Sequence, residues 1–194
     1  WKVLFDAGLI DKTLGDEPFL KLRAPGWILG SDSRKMSKRW NNVVTPDDII
    51  PKYGADTLRM YEMFIGPFEV MKPWSLTGVE GMRRFINRVW RLVTEDNNIM
   101  LIDQEDAQAV LRAQHRLVQK VTKDIEELHF NTAIASMMEF INLLQDMTGR
   151  RVERAGKIRC AEWDEALRTL VLLLAPFSPH ATEELWQNVL NQKG

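Results

Sequence analysis

From about Gly78 onward, every segment of this 194-residue chain with a hydrophobic period has the helical one, and no other feature constrains the fold as much. Met82, Phe85, Ile86, Val89 and Val93 form one apolar stripe. A second follows at Val110, Leu111, Gln114, Leu117, Val118, Val121, Ile125 and Leu128, with one polar interruption. A third helix, capped by Asn131, holds Ile134, Met137, Met138, Ile141 and Leu144 inside. A fourth is predicted over Ala161–Ala175, and a fifth opens at Ser178-Pro179 and buries Leu185, Trp186 and Val189. Such stripes bury each other best by antiparallel packing into a bundle. No repeat of 20–50 residues is visible, which disfavours a solenoid.

The first 77 residues behave differently. Pro18, Pro25, Gly26 and Gly30 interrupt any long period, and the short apolar run Gly26-Trp27-Ile28-Leu29-Gly30 reads as a buried strand. Residues 31–44 are polar, basic and non-periodic, as an exposed loop would be. Thr45-Pro46-Asp47-Asp48 then announces a helix with a hydroxyl cap, a first-turn proline and acids at its positive end. Gly54 ends it, and a second short helix from about Ala55 to Ile65 stops at Gly66-Pro67. The expected fold is mainly α, a helical bundle preceded by a short α/β piece, divided at 1–45, 46–77 and 78–194.

Composition narrows the function. Hydrophobic residues make up 45% and charged residues 27%, and no apolar stretch is long enough to span a bilayer, so a membrane role is not expected. One cysteine, Cys160, excludes an internal disulfide framework and points to a reducing, cytoplasmic setting; three scattered histidines offer no metal site. A net charge of −1 argues against indiscriminate coating of nucleic acid and leaves room for a local basic face. The opening Trp1-Lys2-Val3, without an initiator methionine or a leader pattern, suggests a segment of something longer.

One loop is chemically distinctive. Lys35-Met36-Ser37-Lys38 places two ammonium groups and a hydroxyl within four residues on a polar loop after a strand, the outline of a phosphate clamp. For an arbitrary Lys-x-x-Lys, a solvated basic turn is the commoner reading, and spacing alone does not decide between them.

The wider string does. Gly26–Gly30, Lys35-Met36-Ser37-Lys38-Arg39, Asn42-Val43-Val44, Pro46-Asp47-Asp48-Ile49-Ile50 and Tyr53-Gly54-Ala55-Asp56-Thr57-Leu58-Arg59 occur in order and resemble the second signature loop of class I aminoacyl-tRNA synthetases and the helices after it. Within that class, Trp74-Ser75, Gly78–Gly81, Arg84–Leu92, Phe130–Ile134, Leu174–His180 and Glu183–Trp186 are similar to the leucyl-tRNA synthetases. The resemblance implies that residues 1–45 end a catalytic domain, 46–77 form a connector and 78–194 an anticodon-binding-type helical domain. It implies leucine, ATP with Mg2+ and tRNA(Leu) as partners of a cytoplasmic, monomeric ligase. Lys35 and Lys38 would act on the ATP phosphates, Met36 and Ser37 would shape the loop, and Gly26–Gly30 would lie near the adenosine. The amino-acid pocket, the first signature and the editing domain do not occur in these residues, so the segment alone is expected to be inactive.

The loop departs from the family pattern. The family usually continues with serine, a basic residue and glycine, where this chain has Arg39, Trp40 and Asn41. Asparagine is among the best substitutes for glycine in a left-handed conformation, and both lysines remain.

Further along, Arg84, Arg88 and Arg91 recur at helical spacing opposite the first apolar stripe and form a basic ridge suited to phosphate, which makes them the candidate tRNA contacts. A salt-bridged surface row is an equal alternative. Trp90, Trp163 and Trp186 read as core packing, His180 as a capping or packing residue, and Asp47 and Asp48 as first-turn acids. Cys160 opens a helix, which could lower its pKa, although a lone cysteine there is usually inert. Three functional classes stay open on the residues themselves: an enzyme segment, a stand-alone RNA-binding module, and a purely structural helical domain.

Overall fold

A computed structural model describes residues 1–94, 104–149 and 160–192. The punctuated start holds one short helix, α1 (Lys2–Asp6), a single helical turn at Lys12–Leu14, and then β1 (Ile28–Leu29). Two helices follow the polar loop: α2 (Pro46–Tyr53) and α3 (Ala55–Phe64). After β2 (Lys72–Pro73) come the bundle helices α4 (Leu76–Thr94), α5 (Gln104–Glu126), α6 (Phe130–Gly149), α7 (Ala161–Leu174) and α8 (Pro179–Glu184). A wider π turn, Leu185–Val189, continues α8.

β1 and β2 pair in parallel, Ile28 with Lys72 and Leu29 with Pro73, so the chain crosses over through α2 and α3 as parallel pairing requires. Strand β2 has no signal of its own in the sequence. The β1 strand is present, but it is half-buried rather than buried, and Trp27 beside it is 56% exposed. Gly26 is required there: its N–H donates to Phe68 O at 2.8 Å, and a Cβ would stand 2.3 Å from the Val70 carbonyl.

Local signals explain the connector helices. At the start of α2, the Asp48 carboxylate accepts from both the N–H (3.0 Å) and the hydroxyl (2.6 Å) of Thr45, with Pro46 in the first turn. The junction to α3 is Gly54 at φ 88°, a backbone angle glycine tolerates and most residues avoid.

One apolar core runs from α3 through α4, α5, α6 and α7 to Leu185, with Met60, Val79, Val110, Ile134, Met137, Leu144, Leu170 and Leu174 buried. α5 packs against α6 and α7, while α3 packs against α4, α6 and α8. Phe130 bridges Phe68 and Phe177 by edge-to-face contacts at 5.9 and 6.2 Å, which fastens the strand region to the bundle. The polar interruption Gln114 is buried and donates to Thr169 on α7 at 2.7 Å.

Some expectations change. Asn131 does not cap α6: that helix already begins at Phe130, and His129 O accepts from Thr132 and Ala133. Leu128 is not on the α5 stripe; at φ 60° it ends the helix, with Leu128 N–H bonded to Ile125 O and His129 N–H to Asp124 O, a Schellman-type stop with leucine where glycine is usual. Val118 and Trp90 are 37% exposed, whereas Trp163 is buried as expected and Trp186 half-buried. Among the described residues, no helix is long and apolar enough to cross a membrane.

Candidate functional site: the Lys35–Lys38 loop and the joint behind it

The loop is built on β1. After Leu29 the chain turns at Gly30, whose N–H donates to Arg34 O at 2.8 Å, and Leu29 forms an antiparallel bridge with Lys35. Asn42 then closes the loop on itself. Its Nδ2 donates to Asp32 Oδ1 at 3.0 Å, and its Oδ1 accepts from Ser37 N–H at 2.9 Å. Gly30 makes room for this pair, since a Cβ would meet Asn42 Nδ2 at 2.7 Å. Asp32 also takes the Arg34 guanidinium, with Nη2 2.7 Å from Oδ2. The Asn42 amide and the Arg34 N–H hold the Asp32 carboxyl below the usual carboxylate range.

Between those anchors, the Ser37 hydroxyl caps a one-turn helix, Lys38–Trp40, by accepting from Arg39 N–H at 3.2 Å. Asn41 ends the turn at φ 48°, ψ 37°, the left-handed conformation expected where the family has glycine. Met36 and Ser37 are half-buried; Lys35 and Lys38 are exposed. The two lysines differ in their surroundings. Lys35 Nζ lies 3.7 Å from the Trp27 ring centroid, whereas the Lys38 ammonium has no partner among the described residues. Trp40 faces two guanidiniums, Arg34 at 4.6 Å and Arg39 at 5.2 Å. The loop therefore carries four cations, Arg34, Lys35, Lys38 and Arg39, against one carboxylate, Asp32, a balance that favours a polyanion.

Beside the base of the loop is a cleft of about 330 Å³ lined by Gly26, Ile28, Glu62, Phe68, Lys72 and Phe130. Burial pushes the Glu62 carboxyl up and the Lys72 ammonium down. Among the described residues, no group of three His, Cys, Asp or Glu side chains could hold a metal ion.

The arginine ridge is not uniform. Arg84 and Arg91 are exposed and have no ion pair or hydrogen bond among the described residues. Arg88 is half-buried and turned toward α6, with its Nε 3.1 Å from Gln145 Oε1 and its Nη2 2.5 Å from Asn142 Oδ1. It joins two helices, and its donors are largely used.

Asp56 is the residue that sequence reasoning passed over. It lies in the first turn of α3, 8% exposed, yet it serves the start of α8: its carboxylate accepts from Ala181 N–H at 2.7 Å, the Ser178 hydroxyl at 3.0 Å and His180 Nδ1 at 2.8 Å. Burial pushes this carboxyl up, but those hydrogen bonds outweigh it and leave its pKa lowered. His180, expected to cap or pack, does neither directly: its ring pairs with Asp56, 124 residues away, and Asp56 supplies the cap. Arg59 Nη2 to Pro176 O (3.0 Å) and Arg83 Nη1 to Tyr53 O (2.8 Å) complete the joint between the connector and the bundle. Cys160 precedes α7, where burial pushes its thiol pKa up, contrary to the lowering a helix start could give.

Comparison with known proteins places these features. Residues 9–69 match the family of class I tRNA synthetases (I, L, M and V), and residues 107–194 match the anticodon-binding domain of tRNA ligases. The leucine–tRNA ligase of Prosthecochloris aestuarii is 46% identical over 194 residues, covering 99% of this chain and 22% of the relative. That of Chlorobaculum tepidum is 46% identical over 188 residues, covering 96% and 21%. A solved ternary complex of Agrobacterium radiobacter K84 AgnB2 LeuRS with tRNA and LeuAMS superposes with a TM-score of 0.79 at 35% identity, over 95% of this chain and 24% of that one. The chain thus spans about a fifth of the length of the curated relatives it matches. Along nearly its whole length the chain is homologous to leucine–tRNA ligases, and two successive parts of it match the class I tRNA synthetases (I, L, M and V) and the anticodon-binding domain of tRNA ligases.

Proposed function

We propose that this chain works as part of a leucine–tRNA ligase, which activates leucine with ATP and transfers it to tRNA(Leu), and that its share is the phosphate-handling loop and a tRNA-binding helical domain. The observation that carries the reading is the loop itself: two lysines on either side of a serine cap, a left-handed Asn41, and an Asn42–Asp32 closure that leaves the Lys38 ammonium without a partner. Residues 1–45 end the catalytic part, 46–77 connect, and 78–194 form the bundle.

In this reading, Lys38 and Lys35 stabilise the charge that develops on the ATP phosphates as the leucine carboxylate displaces pyrophosphate, and Ser37 and Met36 hold the loop in shape. Mg2+ enters bound to the ATP phosphates. Arg84 and Arg91 supply phosphate contacts to tRNA(Leu), while Arg88 contributes mainly by fixing the helix that presents them. The setting is the cytoplasm, consistent with a single unpaired cysteine, and the enzyme is a monomer. The segment by itself does not activate leucine.

The test is ATP–pyrophosphate exchange with leucine by the full-length enzyme that carries this sequence. Lys38→Ala is expected to lower exchange about a hundredfold, the size seen when one preorganised transition-state charge is removed. Unchanged exchange would transfer the role to Arg39 or another cation.

A further inference from the structure

We infer that Trp27 is a positioning residue whose indole face competes with phosphate for the Lys35 ammonium, so that the two lysines of the loop engage in unequal ways. The inference rests on the phosphate-loop reading above.

Strand geometry creates the contact. Lys35 bridges Leu29, and in an extended chain Trp27 and Leu29 project from the same face, so the Lys35 stem lies along that face toward the indole. Its backbone is fixed by Gly30 N–H to Arg34 O on one side and Ser37 N–H to Asn42 on the other, so the side chain alone is free to move. With Nζ 3.7 Å from the ring centroid, the ammonium meets the negative face of the indole, and Trp27 keeps 56% of its surface exposed instead of packing in the core. Lys38 has no such partner among the described residues and needs no release.

The exchange has a clear direction. An ammonium gains more from the charge-assisted hydrogen bonds of a phosphate than from an aromatic face near water, so phosphate displaces the ring when present and the ring recaptures the ammonium when phosphate leaves. Trp27 therefore lowers the affinity of the loop for phosphate and speeds its release. An exposed cation–π contact of ordinary strength corresponds to roughly two- to fivefold in affinity.

The experiment uses the 194-residue chain labelled with 5-fluorotryptophan, with the Trp27 and Trp40 fluorine resonances identified through Trp27→Leu and Trp40→Phe, and inorganic pyrophosphate as probe. Lys35→Met is expected to move the Trp27 resonance without pyrophosphate, and pyrophosphate should drive the wild-type resonance toward that same position. In Trp27→Leu, pyrophosphate followed through Trp40 should bind roughly two- to fivefold more tightly. The inference is overturned if Trp27 is insensitive to Lys35→Met or to pyrophosphate, or if Trp27→Leu binds no more tightly. Movement of Trp40 alone would leave the phosphate-loop reading standing, and movement of neither would remove that as well.

Discussion

The carboxylate of Asp56 lies 2.7 Å from the backbone N–H of Ala181, so a residue at the start of α3 caps a helix that begins more than 120 residues later. The Ser178 hydroxyl, fully buried, shares the same oxygen at 3.0 Å. This is where the segment carrying the loop meets the end of the bundle, and the two are joined by a helix start whose unpaired N–H groups are met from outside.

Asp56→Ala removes an ionised acceptor and leaves the Ser178 hydroxyl and a helix N–H without partners. Equilibrium urea unfolding is expected to show a loss of about 2–3 kcal/mol at neutral pH. The pH dependence has a definite sign. Because the folded carboxyl titrates below its ordinary value of 3.8, its contribution is fully present above the unfolded pKa and is lost as pH falls through the lowered folded one. The gap between wild type and Asp56→Asn should therefore narrow only below about pH 4. A gap that closes at neutral pH would show that the Asp56 charge does not hold the joint.

Gly78 stands against the edge of the Tyr61 ring, where a Cβ would come within 2.6 Å of Cε2. Tyr61 cannot easily yield: it is 2% exposed, accepts from Ser75 N–H at 2.6 Å and meets Trp74 edge-on at 4.8 Å. Alanine is the better helix former by about 1 kcal/mol, but overpacking should dominate and Gly78→Ala should lower stability by about 1–3 kcal/mol. A raised urea midpoint would show that the ring has room to move.

The arginine ridge should divide by function. Arg88→Ala, which breaks the α4–α6 link, is expected to cost about 1–2 kcal/mol of stability. Arg84→Ala and Arg91→Ala should stay within about 0.5 kcal/mol of wild type, while each reduces the slope of log affinity for tRNA(Leu) against log salt by about 1. Salt-independent binding would remove the phosphate-contact account for both.

Asn42 closes the loop, and its side chain is the acceptor for Ser37 N–H. In Asn42→Ala, the Ser37 amide should exchange with solvent about five- to tenfold faster, the value of one ordinary hydrogen bond, with the bundle amides unchanged. Unaltered exchange at Ser37 would mean that the cap and the one-turn helix at Lys38–Trp40 hold the loop without it.

Local rules made much of this molecule legible in its sequence. Apolar spacing locates α4 to α7 because a helix must hide one stripe, and Thr45-Pro46-Asp47-Asp48 and Gly54 locate α2 because caps and left-handed turns depend on the residues present. The exposed, lysine-bearing loop follows from its polar, non-periodic residues, whereas the left-handed Asn41 was expected only through the resemblance that places glycine there. What depends on partners distant in sequence was decided by tertiary structure alone. Strand β2 forms only because crossover through α2 and α3 returns Lys72 to β1; Arg88 is drawn from the ridge because α6 brings Asn142 and Gln145 beneath it; Trp27 meets Lys35 because the turn at Gly30 brings Lys35 back beside Leu29 on the same face. Asp56 carries no signal of its own in the sequence, and only the packing of α3 on α8 makes it the cap of a second helix, since a hydrogen bond is fixed by distance in space and not by separation along the chain.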